Sequence, residues 1–388
     1  MAARIIGCGA GFFNPCKACH AAKLRVVLTR FIITAVLAAA ALAASGAEEK
    51  RLFIYNWADY IGRNTIPEFE KRTGIKVVYD LYDAEETMEA RLMAGSSGYD
   101  IVIASTNFFG REIRAGVYQP LDKSQLTHWS NLDPAALALE AAYDPGNRYA
   151  MPYMHAINGF AYNVDKIRER MPDAPVDSLD MIFKPEVISK FADCGVSFLD
   201  SPEDVIQLAM LYLKLDPNTT RSEDFKAAEQ LLLKVRPYVR AFDSAEYMNG
   251  LANQEVCIAM SWSSDYANAR ARAKAVGVDV HLAFTVPKEG ANLTFTSMLI
   301  PVGAPHPHAA HLFLNYILEP QVIAEISNYT YYGNDNLASK PFVNPQILAD
   351  PTLYPTPQGE SMLYQTVEVD PAAARLMTRS WTRIKTAK

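Results

Sequence analysis

Between residues 51 and 116 the chain switches three times from a strand-like segment to a helix-like one, and this order leaves few folds open. "RLFIY", "IKVVYDLYD" and "YDIVIAS" read as strands. "NTIPEFEKRTG", "AEETMEARLMAG" and "NFFGREIRAG" read as helices, the first two closed by Gly74 and Gly95. The third strand is an almost unbroken apolar run, as in a strand buried on both faces. A β-α-β-α-β-α order predicts an α/β fold with a parallel sheet and right-handed crossovers. Open sheets of this kind bind ligands beyond the carboxyl ends of their strands. Two loops then share one edge: residues 56–60 after the first strand, and Ser105, Thr106 and Asn107 after the third. The first loop sets Asp59 between Trp57 and Tyr60. Aromatic faces attract cations, and a desolvated carboxylate strengthens that attraction. The alternative is that both rings are core anchors and Asp59 caps a helix.

The chain has 388 residues, 50% hydrophobic and 21% charged, enough for two lobes with sizeable cores. Downstream, "AMPYMHAINGFAYNVDKI" reads as short strands and a loop. "GVSFLDSPEDVIQLAMLYLKL" reads as a strand and a helix, with Ser201 as N-cap and Pro202 in the first turn. "EVCIAMSWSSDYANARARAKAVG" is again strand, loop and helix, and its loop brings Trp262 and Asp265 together. An aromatic ring and an acid therefore meet at a second strand end. "VDVHLAFTVPKEG" and "FTSMLIPV" follow, then the helix "HPHAAHLFLNYILEP", the tyrosine pair Tyr331–Tyr332 and a terminal helix, "AAARLMTRSWTRIK".

The first 47 residues differ from the rest. They hold five basic residues and no acid, then "FIITAVLAAAALAASGA" with small residues at Ala41, Ala43, Ser45 and Ala47. This is the pattern of a secretory signal peptide cleaved between Ala43 and Ala47. The apolar core is shorter than the ~20 residues of a membrane span, and no Cys follows it to carry a lipid. The stretch before Lys23 is unusual for a signal, and translation is expected to begin near Leu24 or Val26. That stretch contains Cys8 and "CKACH" (Cys16, Cys19, His20), a haem-attachment pattern in a part expected to be absent from the mature protein. Without the leader, Lys plus Arg falls from 37 to 32 while Asp plus Glu stays at 43, so the net charge moves from −6 to −11. Such a surface repels nucleic acid and anionic membranes and favours cations. The mature part keeps Cys194 and Cys257. In an oxidising compartment an even pair suggests one disulfide, two buried thiols being the alternative.

From Glu48 to Lys388 the chain resembles the periplasmic putrescine/spermidine-binding proteins of ABC uptake systems, and among them the putrescine-binding type. "YNWADYI", "EKRTGIKVVYDLYD", "LMAG", "AGVYQPLDKS", "AMPYM", "YNVDKI", "CGVSFLDSPED", "VPKEGA" and "RSWTRIK" fall in family order. The resemblance implies a two-lobed type II solute-binding fold, with mixed and parallel sheets flanked by helices and a hinge between lobes. One lobe would comprise 48–153 and 272–322, the other 154–271 and 323–388. It implies ligand contacts at Trp57, Asp59, Tyr60, Ser105, Trp262, Asp265 and Tyr332, and it matches the family's cysteine pair to Cys194 and Cys257. It also implies a periplasmic, monomeric binding protein without enzymatic activity, cofactor or metal, whose partners are a small cationic amine and an inner-membrane ABC permease.

A diamine needs a carboxylate at each end and aromatic walls between. Asp59 and Asp265 would be the ends, though nothing in the sequence marks either as an acid of raised pKa. Trp57, Tyr60, Trp262 and Tyr332 would be the walls. Three departures set the chain apart. Asp204 stands where the putrescine type has Glu, and would act through water if it is more than a first-turn acid favoured by the helix dipole. Thr294 replaces Phe, and Thr296 replaces an Asp beside one amine. Ala58 replaces a small hydroxyl residue. With Thr296 in place, Asp59 would be the one carboxylate at its end, with the Thr296 hydroxyl accepting one hydrogen bond from the amine. Two other classes remain open: a ferric-ion binder using Tyr331 and Tyr332, and a hydrolase using Asp59 and Asp265 as a carboxylate pair.

Overall fold

The first three strands are β1 (Arg51–Trp57), β2 (Lys76–Tyr82) and β3 (Ile101–Ser105). Both β2 and β3 pair with β1 in parallel, and β3 is buried along its whole length. They are seen in a computed structural model that describes residues 50–387 apart from 83, 96, 357–358, 360 and 367–370. The leader, with its cysteines and His20, lies outside the described residues. The crossover helices are α1 (Thr65–Thr73) and α2 (Glu85–Met93), and α3 (Thr106–Arg114) leaves β3. Gly74 ends α1 with φ 70°, returning its N–H to the Glu70 carbonyl, a backbone state that needs no Cβ strain only in glycine.

The next strand departs from the sequence expectation. Residues 150–163 form one continuous strand, β4 (Ala150–Asn163), where short strands and a loop were expected. It pairs along its first half with the antiparallel β9 (Ala291–Leu299) and along its second half with β7 (Ile258–Trp262) and β8 (Leu282–Thr285). Gly159, which reads as a breaker, sits inside the strand because a Cβ there would lie 2.2 Å from the Thr285 carbonyl oxygen of β8. The register shifts between Pro152 and Met154, a bulge that absorbs a proline unable to donate. The sheet continues from β7 to β5 (Val196–Phe198) and β6 (Ala241–Phe242), both parallel. Its main path runs β2-β1-β3-β9-β4-β7-β5-β6, with β8 branching from β4.

Apolar residues divide between the two halves of this path. Leu52, Ile54, Ile103 and Phe313 centre one cluster, which Ile323, Ile326 and Tyr332 join. Phe160, Phe183, Phe198 and Ile258 centre the other, which Met377 and Trp381 of the terminal helix join. Trp262 packs against both. The fold is two-lobed, and β4 contributes residues to both apolar clusters. In the second cluster α4 (Pro202–Tyr212), followed by α5 (Ser222–Val235), starts on Ser201, whose Oγ accepts from the Asp204 N–H. Cys194 and Cys257 are joined by a disulfide across a sequence separation of 63, with Cα atoms 5.6 Å apart. Among the described residues no helix is long and apolar enough to cross a membrane.

Candidate ligand site

A cavity of about 290 Å³ opens where β1, β3 and β7 end, beside the middle of β9. All ten candidate residues line it: Trp57, Asp59, Tyr60, Ser105, Asp204, Trp262, Asp265, Thr294, Thr296 and Tyr332. Eight carboxylic side chains line it against one basic one, Arg272, so its field favours a cation.

Register explains the convergence. Thr296 on β9 pairs with Ser105 on one side and Met154 on the other, which places two short polar side chains where β3 stops. The loop after β1 is tied down by Asn56, fully buried, whose amide donates to the Tyr60 carbonyl and to the Tyr79 hydroxyl at 2.7 Å. Asp59 at the turn has φ 55°, a left-handed state that Asp tolerates better than most residues. Tyr60 is buried, its ring edge-on to Tyr332 at 4.7 Å and to Tyr153 at 5.7 Å. Trp57 leans on Tyr82, with ring centroids 4.5 Å apart.

The Asp265 end is enclosed. Asp265 is the first residue of α7 (Asp265–Ala275) and is 3% exposed. One carboxylate oxygen accepts from the Tyr332 hydroxyl at 2.7 Å and the other from the Tyr247 hydroxyl. Tyr247 lies in α6 (Tyr247–Ala252), and no sequence pattern pointed to it. Burial pushes the Asp265 carboxyl up to about 6, against the pull of the two phenols and of Arg272. Burial first, then the Asp265 charge, raises both phenols. A buried carboxylate with neutral donors and no adjacent counter-charge is poised to receive a cation.

Asp59 is placed otherwise. It is at the mouth, with its side chain 59% exposed, and its Oδ2 takes a hydrogen bond from the Arg272 guanidinium at 2.5 Å. This pair joins the β1 loop to α7. Asp204 is buried and accepts from Ser201 Oγ at 2.7 Å and Asn158 Nδ2 at 3.0 Å. Its pKa is raised by burial, with Ser201, Asn158 and Trp262 opposing. The Thr296 hydroxyl is already engaged, donating to the Met154 carbonyl at 3.0 Å and accepting from Tyr60 at 2.9 Å. Thr294 Oγ1 accepts from Asn292.

Beyond the candidate residues, Glu85, Glu86 and Glu203 also line the cavity. They stand in the first turns of α2 and α4, where an acid has a sufficient local explanation in the helix dipole. The tyrosine pair also diverges. Tyr332 joins the core beside Asp265, whereas Tyr331, with φ 64°, packs toward Val343 and Ile347.

Residues 64–355 match the family of bacterial extracellular solute-binding proteins, and the chain belongs to that family. Over 92% of its length it is 45% identical to the putrescine-binding periplasmic protein PotF of Escherichia coli strain K12, 97% of which is covered. It is 44% identical to the putrescine-binding periplasmic protein SpuD of Pseudomonas aeruginosa, over 89% of this chain and 94% of that protein. Among solved structures it is similar to the spermidine/putrescine ABC transporter substrate-binding protein PotD from Streptococcus pneumoniae, with TM-score 0.71 and 25% identity over 87% of this chain and 99% of that one.

Proposed function

We propose that this protein captures a polyamine, a putrescine-like diamine above all, in the periplasm and delivers it unchanged to an inner-membrane ABC permease. The observation that carries this reading is the buried Asp265 carboxylate, held by two phenols and reached through a slot walled by Trp57, Tyr60, Trp262 and Tyr332. One ammonium meets Asp265, and the aliphatic chain lies against the rings. Cation–π attraction adds about 0.5–2 kcal/mol where a ring is desolvated. Ser105 and Asp204 complete the slot as polar walls, with Thr294 and Thr296 shaping the volume beside Tyr60. The protein acts as a monomer that closes about hinges near 153–154 in β4 and 271–272 in α7. The third crossing between lobes is near 322–323.

The divergence of Tyr331 from Tyr332 counts against a ferric site built on that pair. The Asp59–Arg272 contact counts against a free carboxylate pair for hydrolysis. The test is calorimetry on protein unfolded, stripped and refolded, against putrescine, cadaverine, spermidine, agmatine and a monoamine, with recovery of the amine afterwards. One site per chain and intact amine are expected. No heat with any amine, or a converted amine, sinks the reading.

A further inference from the structure

The cavity that holds Asp265 contains a second buried carboxylate with no counter-ion among the described residues. Glu85 is 7% exposed and lines the cavity. It begins α2, but its side chain turns away from that helix. One oxygen accepts from the Ser105 N–H and the other from the Ser105 hydroxyl, each at 2.6 Å. Among the described residues no ion pair includes it. Each carboxylate oxygen keeps a free lone pair. Two residues beyond Ser105, the Oδ1 of Asn107 is buried without a hydrogen-bond partner, and Asn107 lines the same cavity. A buried acceptor left unpaired in a native site asks for a missing donor. Tyr60 lines the cavity with both Asp265 and Glu85, and burial first, then the charges of Asp335, Asp265 and Glu85, hold its hydroxyl protonated.

We propose that Glu85, with Ser105 and Asn107, is the receptor for the second ammonium of the ligand, so that this site selects dications over monocations. The proposal rests on the polyamine reading above and extends it to a subsite. An ammonium has three N–H donors. Glu85, the Asn107 carbonyl oxygen and the Ser105 hydroxyl offer three acceptors on adjoining elements. Thr296 is the weaker acceptor: its hydroxyl already accepts from Tyr60 and donates to Met154, which leaves one neutral lone pair. The bare acid in a closed wall fits the same role: burial pushes Glu85 up to about 8 despite both Ser105 bonds, with Glu112 and Glu86 adding repulsion. An arriving ammonium reverses that penalty.

The test compares putrescine with 1-butylamine, which has the same carbon chain and one head, on refolded ligand-free protein and on Glu85→Gln. The amide keeps the size of the side chain and can still bond Ser105. Putrescine affinity is expected to fall on the order of 100-fold, as when one partner of a buried charge pair is removed, with 1-butylamine changed less than about threefold. Equal losses for both amines would show a structural role and overturn the proposal, as would an unchanged putrescine affinity. If Glu85→Gln does not fold, Asn107→Ala decides: a putrescine-selective loss supports the proposal and its absence overturns it. A wild-type protein that binds no amine defeats the polyamine reading itself. One that binds putrescine while Glu85→Gln binds it equally defeats only this subsite.

Discussion

The two acids that the sequence presents alike are unlike in the structure. Asp59 and Asp265 each stand beside a tryptophan where a strand ends. Asp265 is sunk at the start of a helix between two phenols, with no competing cation touching it. Asp59 sits on a left-handed turn at the mouth, more than half exposed, with a guanidinium on it. The same pair of residue types therefore makes a buried carboxylate held by phenols in one place and an exposed ion pair in the other. Burial decides: charge–charge attraction is strong and specific where water is excluded and weak where it is not.

The largest expected effect concerns how each end is held. Cys257 precedes β7, the strand that ends at Trp262 and leads to Asp265, and the disulfide ties it to Cys194. No such tie holds β1. A loop of this length is worth about 4 kcal/mol in the chain-entropy model. Thermal melts with and without reductant should show that loss. Ligand-bound tryptophan fluorescence should change first for the Trp262 environment. Unchanged stability on complete reduction, checked by thiol titration, would show that the Asp265 end does not depend on the bridge.

Next in size is Asp265→Asn. Removing one side of a buried charge pair costs about 3 kcal/mol or more, so calorimetry should find putrescine binding weakened at least about 100-fold. Asp204→Asn should cost nearer 1 kcal/mol, because Asp204 already has neutral partners in Ser201 and Asn158. Equal losses would mean that the anchor has been placed on the wrong acid.

Acidity sharpens the contrast between buried and exposed carboxyls. Burial raises Glu85 to about 8, Glu203 to about 7 and Asp265 to about 6. From the ordinary carboxylate range near 4 up to those values, the folded ligand-free protein binds more protons than the unfolded chain. Stability therefore falls as pH rises through that window. The contribution is complete below about pH 4 and gone above about pH 8. The melting temperature of ligand-free protein should drop from pH 5 to pH 8.5, and saturating putrescine should reduce the drop by favouring the ionised forms. A flat or rising profile would mean that these carboxyls are hydrated in solution.

Much of this was legible in the residues, and the reasons differ by element. The alternation of the first strands and helices, the cap at Ser201 and the end at Gly74 are local signals, and local signals survive folding. The long strand β4 was not legible. Pro152 and Gly159 read as breakers, and only its neighbours, the bulge against β9 and the close approach of β8, explain why they are tolerated. The ten lining residues were found by motif, but Tyr247 and Glu85 were not. Glu85 has a complete local reason to exist as a first-turn acid, and nothing in "DAEET" tells which way its side chain turns. Arg272, seven residues beyond Asp265 on α7, likewise looks like an ordinary solvated helix residue until the β1 loop is folded against it.

The smallest expected effect is the one that tests the comparison most directly. Asp59 and Arg272 are both partly exposed, and pairs of this kind contribute roughly 0.2–1 kcal/mol. If Asp59 is a contact between the β1 loop and α7 rather than an anchor, Asp59→Asn should weaken putrescine less than about fivefold. Arg272→Gln should do much the same, and the double variant should lose little more, since each single change already breaks the pair. The loss should also shrink as salt is raised from 0.01 M to 1 M, because exposed charges are screened over a few ångströms at the upper limit. A different pattern would undo the contrast drawn here. If Asp59→Asn costs as much as Asp265→Asn while Arg272→Gln tightens binding, the guanidinium is a stand-in for the amine. Asp59 would then be released to the ligand on binding, and the mouth of the cavity would be a second anchor held in reserve.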